Sequence, residues 1–279
     1  MNKNKLSDET KTYKLSDETK TTPEGVVLHR VVATTTFTLA CGVTINAGDL
    51  GGWIEKESNL SDNAWVSDEA QVYGNAKVYD NALVCGKAKV SGNAKVSDNA
   101  QVSDDALVSG NAKVYGNAMV AGGSQIAGYA RVFGDALVYS DGAEVTGNAQ
   151  VFGSALITAN ARVSGDAWVS GEVSGNAQVS GNALVSGEAR VDGNAQVDGR
   201  AWVSGNARVS GDAKISDNAK VTDNAKVSGN ALVSGDIQIA GDTKIRNMSD
   251  YMAFVEHNNR SNVLSDGLND LSSQDDIQL

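Results

Sequence analysis

The chain has 279 residues, a net charge of −11, 41% hydrophobic residues and only 5% aromatic residues. Such an acidic balance repels phosphate backbones, so we expect neither long nucleic acid nor an anionic membrane as a partner. The sequence has no apolar run near 18 residues and no signal-peptide pattern, which predicts a cytoplasmic protein. Two cysteines, Cys41 and Cys85, are too few for a disulfide framework and lack metal-ligand spacing. We expect two free thiols.

The first part of the chain is polar and contains a segment that is duplicated at an interval of nine residues. The segment KLSDETK occupies residues 5–11 and returns at residues 14–20. We predict a flexible polar leader over residues 1–24. Residues 25–59 then contain the stretches VVLHRVV and TTTFTLA, followed by GDLGGWIE. These stretches are typical of strands and predict a small N-terminal β cap, which would cover the strand edge at an open solenoid end.

From Leu60 to Ile245 an aliphatic residue returns about every six positions, almost always with alanine two places before it. A period of six fits neither an α-helix nor a simple alternating strand, but suits a short strand followed by a tight corner. The alanine and the aliphatic residue point to the same side, and Gly-Asn or Asp-Asn turns the corner. Recurrent glycine, at about 1 kcal/mol each relative to alanine, excludes a helix. The repeat predicts an all-β fold, a parallel β-solenoid with three sides per coil and a triangular cross-section.

The period is interrupted twice. One residue is added between positions 138 and 145, which predicts a small bulge at a corner. Positions 169 and 179 are ten residues apart, so the segment is either two shortened units or one ten-residue loop. A ten-residue loop would place Leu184 and Trp202 on the side of the solenoid that carries Leu83 and Leu156. This coincidence favours the loop. An accident of unit duplication repaired at a corner is the other interpretation.

The last part of the chain, residues 246–279, is polar and acidic. We predict a C-terminal cap or tail. Tyr251–Val255 would fold over the last coil, and the remainder has the composition of a disordered segment.

Two resemblances follow from these motifs. The unit aliphatic-x-x-x-small-x over residues 60–245 resembles the hexapeptide repeat of left-handed parallel β-helix proteins, best known from acyltransferases. The left hand is implied by this resemblance alone, because general crossover chirality favours a right-handed connection. The combination of KLSDETK, a Val-rich stretch, GDLGGWIE and Asn59-Leu60 resembles hexapeptide-repeat proteins encoded by tailed phages and prophages. That second resemblance implies the cytoplasm of a bacterial host.

The enzyme interpretation depends on histidine. Acyltransferases of the resembled fold use a histidine base on the coils, and general-base work needs a group that titrates near neutral pH. This chain has only His29 and His257, and neither lies between residues 60 and 245. No serine lies in a nucleophile elbow. We therefore predict that the chain is not an enzyme and uses no cofactor or metal.

Side chains eighteen residues apart should stack on one side of a three-sided coil. The outward residues that precede the core valine on one side are basic through four consecutive coils: Lys77, Lys95, Lys113 and Arg131. Those that follow the same valines include Tyr79, Tyr115, Phe133 and Phe152, with Ser97 between the tyrosines. A cation beside an aromatic ring suits a planar ring that carries phosphate. We predict a binding face for a small anionic ligand, such as a cyclic nucleotide.

Round the next corner lies an apolar row of outward residues. It consists of Leu83, Met119, Leu137 and Leu156. With the aromatic row it forms a ridge of a length that a partner normally covers, and the resembled family forms homotrimers. We predict that this row is the oligomer edge of a homotrimer.

Three functions remain open at this point. The first is a phage-encoded binding protein that sequesters cyclic nucleotide signals of bacterial anti-phage defence. The second is a structural rod or protein scaffold, in which the lysines are generic solubilising residues produced by unit duplication. The third, an acyltransferase, is the least favoured because the coils lack histidine.

Overall fold

The computed structural model describes residues 11–258. Short parallel strands lie on three flat sides of a solenoid, and from Trp65 onward each strand pairs with the strand three places further along the chain. We name the sides walls A, B and C. The chain is therefore a β-solenoid, as the six-residue period predicts.

The strand bounds follow the repeat. Wall A contains β5 (Leu50–Ile54), β7 (Gln71–Val72), β10 (Lys89–Val90), β13 (Leu107–Val108), β16 (Gln125–Ile126), β19 (Glu144–Val145), β22 (Arg162–Val163), β25 (Gln178–Val179), β28 (Gln196–Val197), β31 (Lys214–Ile215) and β34 (Leu232–Val233). Wall B contains β8 (Lys77–Val78), β11 (Lys95–Val96), β14 (Lys113–Val114), β17 (Arg131–Val132), β20 (Gln150–Val151), β23 (Trp168–Val169), β26 (Leu184–Val185), β29 (Trp202–Val203), β32 (Lys220–Val221) and β35 (Gln238–Ile239). Wall C contains β6 (Trp65–Val66), β9 (Leu83–Val84), β12 (Gln101–Val102), β15 (Met119–Ala121), β18 (Leu137–Tyr139), β21 (Leu156–Thr158), β24 (Glu172–Val173), β27 (Arg190–Val191), β30 (Arg208–Val209), β33 (Lys226–Val227) and β36 (Lys244–Ile245).

The interior consists of the repeated valine and alanine. Val114 and Ala112, for example, are both fully buried. Backbone bonds join the coils, as in the bond from the Ser97 amide to the Val114 carbonyl at 3.0 Å. Three buried valines per coil, at about 1.5–3 kcal/mol each, hold the solenoid together.

The corners explain the recurrent Gly and Asp. Gly116 has φ of +73°, and Asp98 takes the same left-handed conformation one coil earlier at +57°. The Asp98 carboxylate accepts a hydrogen bond from the Gly116 amide at 2.9 Å, which holds the two corners together. Corner aspartates therefore have a structural role, as predicted from their position.

The N-terminal cap is larger than predicted. Strand β1 (Tyr13–Thr21) pairs antiparallel with β2 (Val27–Ala33), and β2 pairs antiparallel with β5. The prediction of a flexible leader over residues 1–24 is therefore wrong for Tyr13–Thr21, which contains the second KLSDETK copy. Tyr13 is buried, and its hydroxyl lies 2.7 Å from the carbonyl oxygens of both Glu57 and Leu60. Residues 1–10, with the start of the leader, lie outside the described residues.

The cap also covers part of wall C. A small antiparallel pair, β3 (Phe37–Thr38) and β4 (Thr44–Ile45), is followed after β5 by a 3₁₀ turn at Glu57–Asn59. The Phe37 ring meets the buried Trp65 edge-on at 5.9 Å. The first coil is therefore closed by aromatic packing.

The first interruption is a bulge, as predicted. The extra residue lies at the corner after β18, where Ser140 has φ of +153°. Ser124 is fully buried in the coil before, and its hydroxyl accepts a hydrogen bond from the Ser140 amide at 3.2 Å. One serine therefore satisfies the backbone that the insertion displaces.

The second interruption is not a loop. Strand β24 lies inside the ten-residue interval and pairs in register with β21, through Leu156 and Glu172. The loop interpretation is therefore wrong, and Leu184 and Trp202 lie on wall B rather than beside Leu83. The chain shortens one corner by two residues instead. Gly171 takes the place of the usual alanine, where an added Cβ would lie 2.6 Å from the Ala189 carbonyl oxygen.

The C-terminal end carries a helix at residues 248–258. Tyr251 and Phe254 pack against the core, and the Tyr251 hydroxyl donates to the Ser234 carbonyl at 3.4 Å. The predicted fold of Tyr251–Val255 over the last coil is confirmed. The predicted disordered remainder falls on residues 259–279, outside the described residues. Within 11–258, no helix has the length and apolar character needed to cross a membrane.

Both cysteines are free thiols, as predicted. Cys41 is exposed in the cap, and Cys85 is half-buried on wall C. Burial, with a smaller contribution from Asp68 and Asp104, raises the pKa of the Cys85 thiol to about 11. Cys85 is therefore protonated and unreactive near neutral pH.

Candidate functional site

The four predicted cations form one row on wall B. Lys77, Lys95, Lys113 and Arg131 are direct neighbours on consecutive strands, and all four are exposed. Like charges directly opposite each other on neighbouring strands repel. The row therefore costs stability and is poised to attract an anion.

On walls A and C, two arginines form ion pairs with glutamates of the neighbouring coil. Arg162 on wall A is 3.4 Å from Glu144 on the neighbouring coil, and Arg190 on wall C is 3.3 Å from Glu172. Among residues 11–258, none of the four wall B cations has a carboxylate partner within 4 Å. Their charges remain available to a ligand.

The predicted aromatic row also forms. Tyr115 and Phe133 stack with ring centroids 4.9 Å apart and planes 1° from parallel. Phe133 and Phe152 stack at 5.5 Å and 14°. Trp168, which lies in line with Arg131 and Gln150 in the neighbouring row, meets Phe152 edge-on at 6.1 Å. Trp168 was missed from the sequence, although its spacing of eighteen from Gln150 places it on the same wall.

A groove of about 320 Å³ opens where the two rows meet. It is lined by Tyr79, Asp80, Lys95, Ser97, Asp98, Lys113, Tyr115 and Arg131. We call it the wall B groove. Five predicted site residues therefore line a single cavity, while Lys77, Phe133 and Phe152 lie outside its lining. Asp80 and Asp98 are additional lining residues that sequence reasoning assigned only to corners.

Positive charges outnumber negative charges in the wall B groove. Three cations face two carboxylates, and the Asp98 carboxylate already accepts a hydrogen bond from the Gly116 amide. Burial raises the pKa of the Tyr115 phenol, and the nearby Arg131 guanidinium partly offsets that rise. Tyr115 is therefore neutral at pH 7, and its ring and hydroxyl can both contact a ligand.

The predicted oligomer edge lies on wall C. Leu83, Met119, Leu137 and Leu156 are aligned on one side, with Gln101 between the first two. Met119 is 39% exposed, whereas Leu83 is only 7% exposed and already belongs to the chain's own core. The surface available to a partner is therefore the part from Met119 to Leu156.

The two histidines lie at opposite ends of the chain's fold. His29 lies on β2 in the cap, and His257 lies in the C-terminal helix. Neither is on a coil, where the resembled acyltransferases place their base.

Two protein families have sequence models that match parts of the chain. Residues 150–249 match the bactofilin family, described as polymer-forming cytoskeletal. Residues 70–86, 100–113 and 112–128 match the YdcK β-solenoid repeat. No curated protein matches the chain. The chain is a β-solenoid repeat protein, and its residues 150–249 are similar to a polymer-forming cytoskeletal family. Neither family description names a catalytic activity.

Proposed function

We propose that this protein is a non-catalytic binding rod whose wall B groove holds small anionic nucleotides, cyclic nucleotides in particular. The observation that supports the proposal is that three cations and two tyrosines line one groove. A phosphate would contact Lys95, Lys113 and Arg131, while a base stacks on a tyrosine ring.

The net charge of −11 restricts the size of the ligand. A long nucleic acid extends over the acidic remainder of the surface and is repelled there. A ligand of two or three nucleotides would meet mainly the local basic row. The resemblance to phage-encoded proteins suggests a purpose, namely sequestration of nucleotide signals made by bacterial anti-phage defence in the host cytoplasm.

A homotrimer is part of this proposal. The aromatic row of wall B and the apolar row of wall C occupy neighbouring sides of the rod, and a neighbouring subunit would cover their shared edge. Each groove would then lie at a subunit junction and gain a second side. Multi-angle light scattering should give about three times the chain mass of 28.9 kDa. A monomeric mass contradicts the trimer.

The binding test uses calorimetry with a panel of cyclic di- and trinucleotides. We expect wild type to bind at least one of them, and the double variant Lys113→Glu with Tyr115→Ala to lose about tenfold or more in affinity. The matched control is Lys226→Glu with Ser228→Ala on wall C, which makes the same charge change around Val227. Its affinity should remain within about threefold of wild type.

Two outcomes contradict the proposal. The first is that wild type binds no member of the panel, and the second is that the wall B double variant binds as well as its wall C control. In the second case the basic row has no role in binding.

The similarity of residues 150–249 to a polymer-forming family favours a second candidate, a structural scaffold. Both ends of the solenoid carry additional elements, the antiparallel cap and the helix at 248–258, so we expect lateral rather than end-to-end assembly. This candidate predicts filaments or sheets in negative-stain microscopy and a protein partner in pull-downs from infected cells. It also predicts that the basic row can be neutralised without consequence.

A further inference from the structure

One position interrupts the aromatic row of wall B. The residues that follow the core valine on five consecutive coils are Tyr79, Ser97, Tyr115, Phe133 and Phe152. Ser97 is only 7% exposed, and its amide is bonded to Val114 in the ladder at 3.0 Å. A small side chain on rigid backbone therefore lies where its neighbours carry a ring, and the wall B groove opens above it.

The spacing of the row defines what fits in the gap. Tyr115 and Phe133, on adjacent coils, stack in parallel at 4.9 Å. Tyr79 and Tyr115 are two coils apart, about 9.6 Å at the usual strand separation. A planar ring inserted midway would lie about 4.8 Å from each tyrosine, within the range in which aromatic pairs attract. Two inserted rings would leave intervals of about 3.2 Å, closer than carbon atoms pack.

The surrounding charges orient such a ring. Lys95 and Val96 form β11, which ends directly before Ser97, and Lys113 lies on the next strand of wall B. Asp98 follows Ser97 at the corner, with Asp80 one coil before it. An attached phosphate is therefore drawn toward the lysines and repelled from the corner.

We infer that the gap between Tyr79 and Tyr115, with Ser97 as its floor, is a slot for one nucleobase whose phosphate is held by Lys95 and Lys113. The inference rests on the proposed nucleotide-binding function and names the position at which the base is held. It also sets the stoichiometry at one inserted base per chain.

The decisive variant is Ser97→Phe, which completes the aromatic row and fills the slot. We expect it to lower the affinity for a nucleotide that binds wild type by about tenfold or more, because base stacking is lost. Ser97→Ala keeps the slot open and should therefore lose less affinity than Ser97→Phe. Ser204→Phe places the same ring on wall B at a distant coil and should leave binding unchanged. Circular dichroism and a thermal melt check that each variant is folded.

A second measurement needs no variant. A nucleotide that contains 2-aminopurine in place of adenine should lose fluorescence on binding to wild type, because the base stacks between two tyrosines. Ribose 5-phosphate, which has no base, serves as the comparison ligand. Its affinity should be the same in wild type and Ser97→Phe.

The outcomes separate the two proposals. If wild type binds nucleotides, Ser97→Phe binds them equally and 2-aminopurine is not quenched, the slot is overturned while the nucleotide function stands. If wild type binds no nucleotide, both are overturned. Loss of affinity in Ser97→Phe, together with quenching in wild type, supports the slot.

Discussion

The coils at residues 60–157 and those at residues 173–245 share one interior but differ on their outer surfaces. Val114 in the first set and Val209 in the second are both fully buried. On wall B, however, the residue after the core valine is Tyr115 or Phe133 in the first set and Ser186 or Ser204 in the second. At this position the same backbone therefore carries aromatic rings in one region and serine hydroxyls in the other.

The difference shows which positions are constrained by packing. Inward side chains are enclosed on all sides, so volume and polarity are restricted there. Outward side chains on a wall contact mainly their neighbours one coil away, as Tyr115 contacts Phe133. Their identity can change along the rod without changing the fold, and such changes are where function is built.

The largest expected effect tests the shared interior. Val132→Asp and Val209→Asp each bury a carboxylate that has no partner, and each should cost about 4 kcal/mol or more in the free energy of unfolding. Denaturant unfolding should show similar losses for the two variants. A loss confined to one variant would mean that the two sets of coils do not have equivalent cores.

The second prediction compares how a tyrosine at each end of the rod affects stability at high pH. Burial, with a smaller contribution from Glu57, raises the pKa of Tyr13 to about 12 from an ordinary value of 10. The folded state therefore holds this proton more tightly than the unfolded state. The resulting stabilisation is present in full below pH 10 and is lost as pH rises toward 12. That loss amounts to about 2–3 kcal/mol. Tyr13→Phe should remove the loss and make stability flatter over this range.

The control for Tyr13 is Tyr251→Phe at the other end. The Tyr251 hydroxyl makes a longer bond of 3.4 Å to Ser234, so its removal should change stability by only about 0.5 kcal/mol. Thermal melts of both variants between pH 9 and 12 measure the difference. An unchanged alkaline loss in Tyr13→Phe would assign it to another group.

The smallest effect concerns the outer row itself. Phe133→Ala removes ring contacts at 4.9 and 5.5 Å and should cost about 1–2 kcal/mol. Ser204→Ala at the equivalent wall B position should change stability by less than about 0.5 kcal/mol. Equal losses by chemical denaturation would show that the aromatic row adds nothing to stability.

Much of the candidate site followed from counting along the chain. Because six-residue units repeat three times per coil, Lys95 and Lys113 had to be neighbours, and the structure pairs them directly. Counting could not show that Asp98 lines the groove. Its side chain serves a corner, and only the closeness of corner and wall places it beside Tyr115.

Two features, the first cap strand and the shortened corner, differ from the sequence-based predictions for physical reasons. The polar KLSDETK copy gives no hydrophobic pattern, so only its pairing with Val27–Ala33 and the burial of Tyr13 show that it is a strand. The ten-residue interval fits a loop or two short units equally well by length. The second arrangement forms because Gly171 allows the wall to pass close to the Ala189 carbonyl oxygen.

The sequence by itself determined the β-solenoid, its three walls, the bulge and the alignment of the cationic and aromatic rows, because a strict period converts directly into position on a repeating coil. The tertiary structure alone decided the extra cap strand, the shortened corner and the presence of a groove between the rows. Those features depend on contacts between segments that the repeat does not relate, and on how much space a small side chain such as Ser97 leaves among larger neighbours.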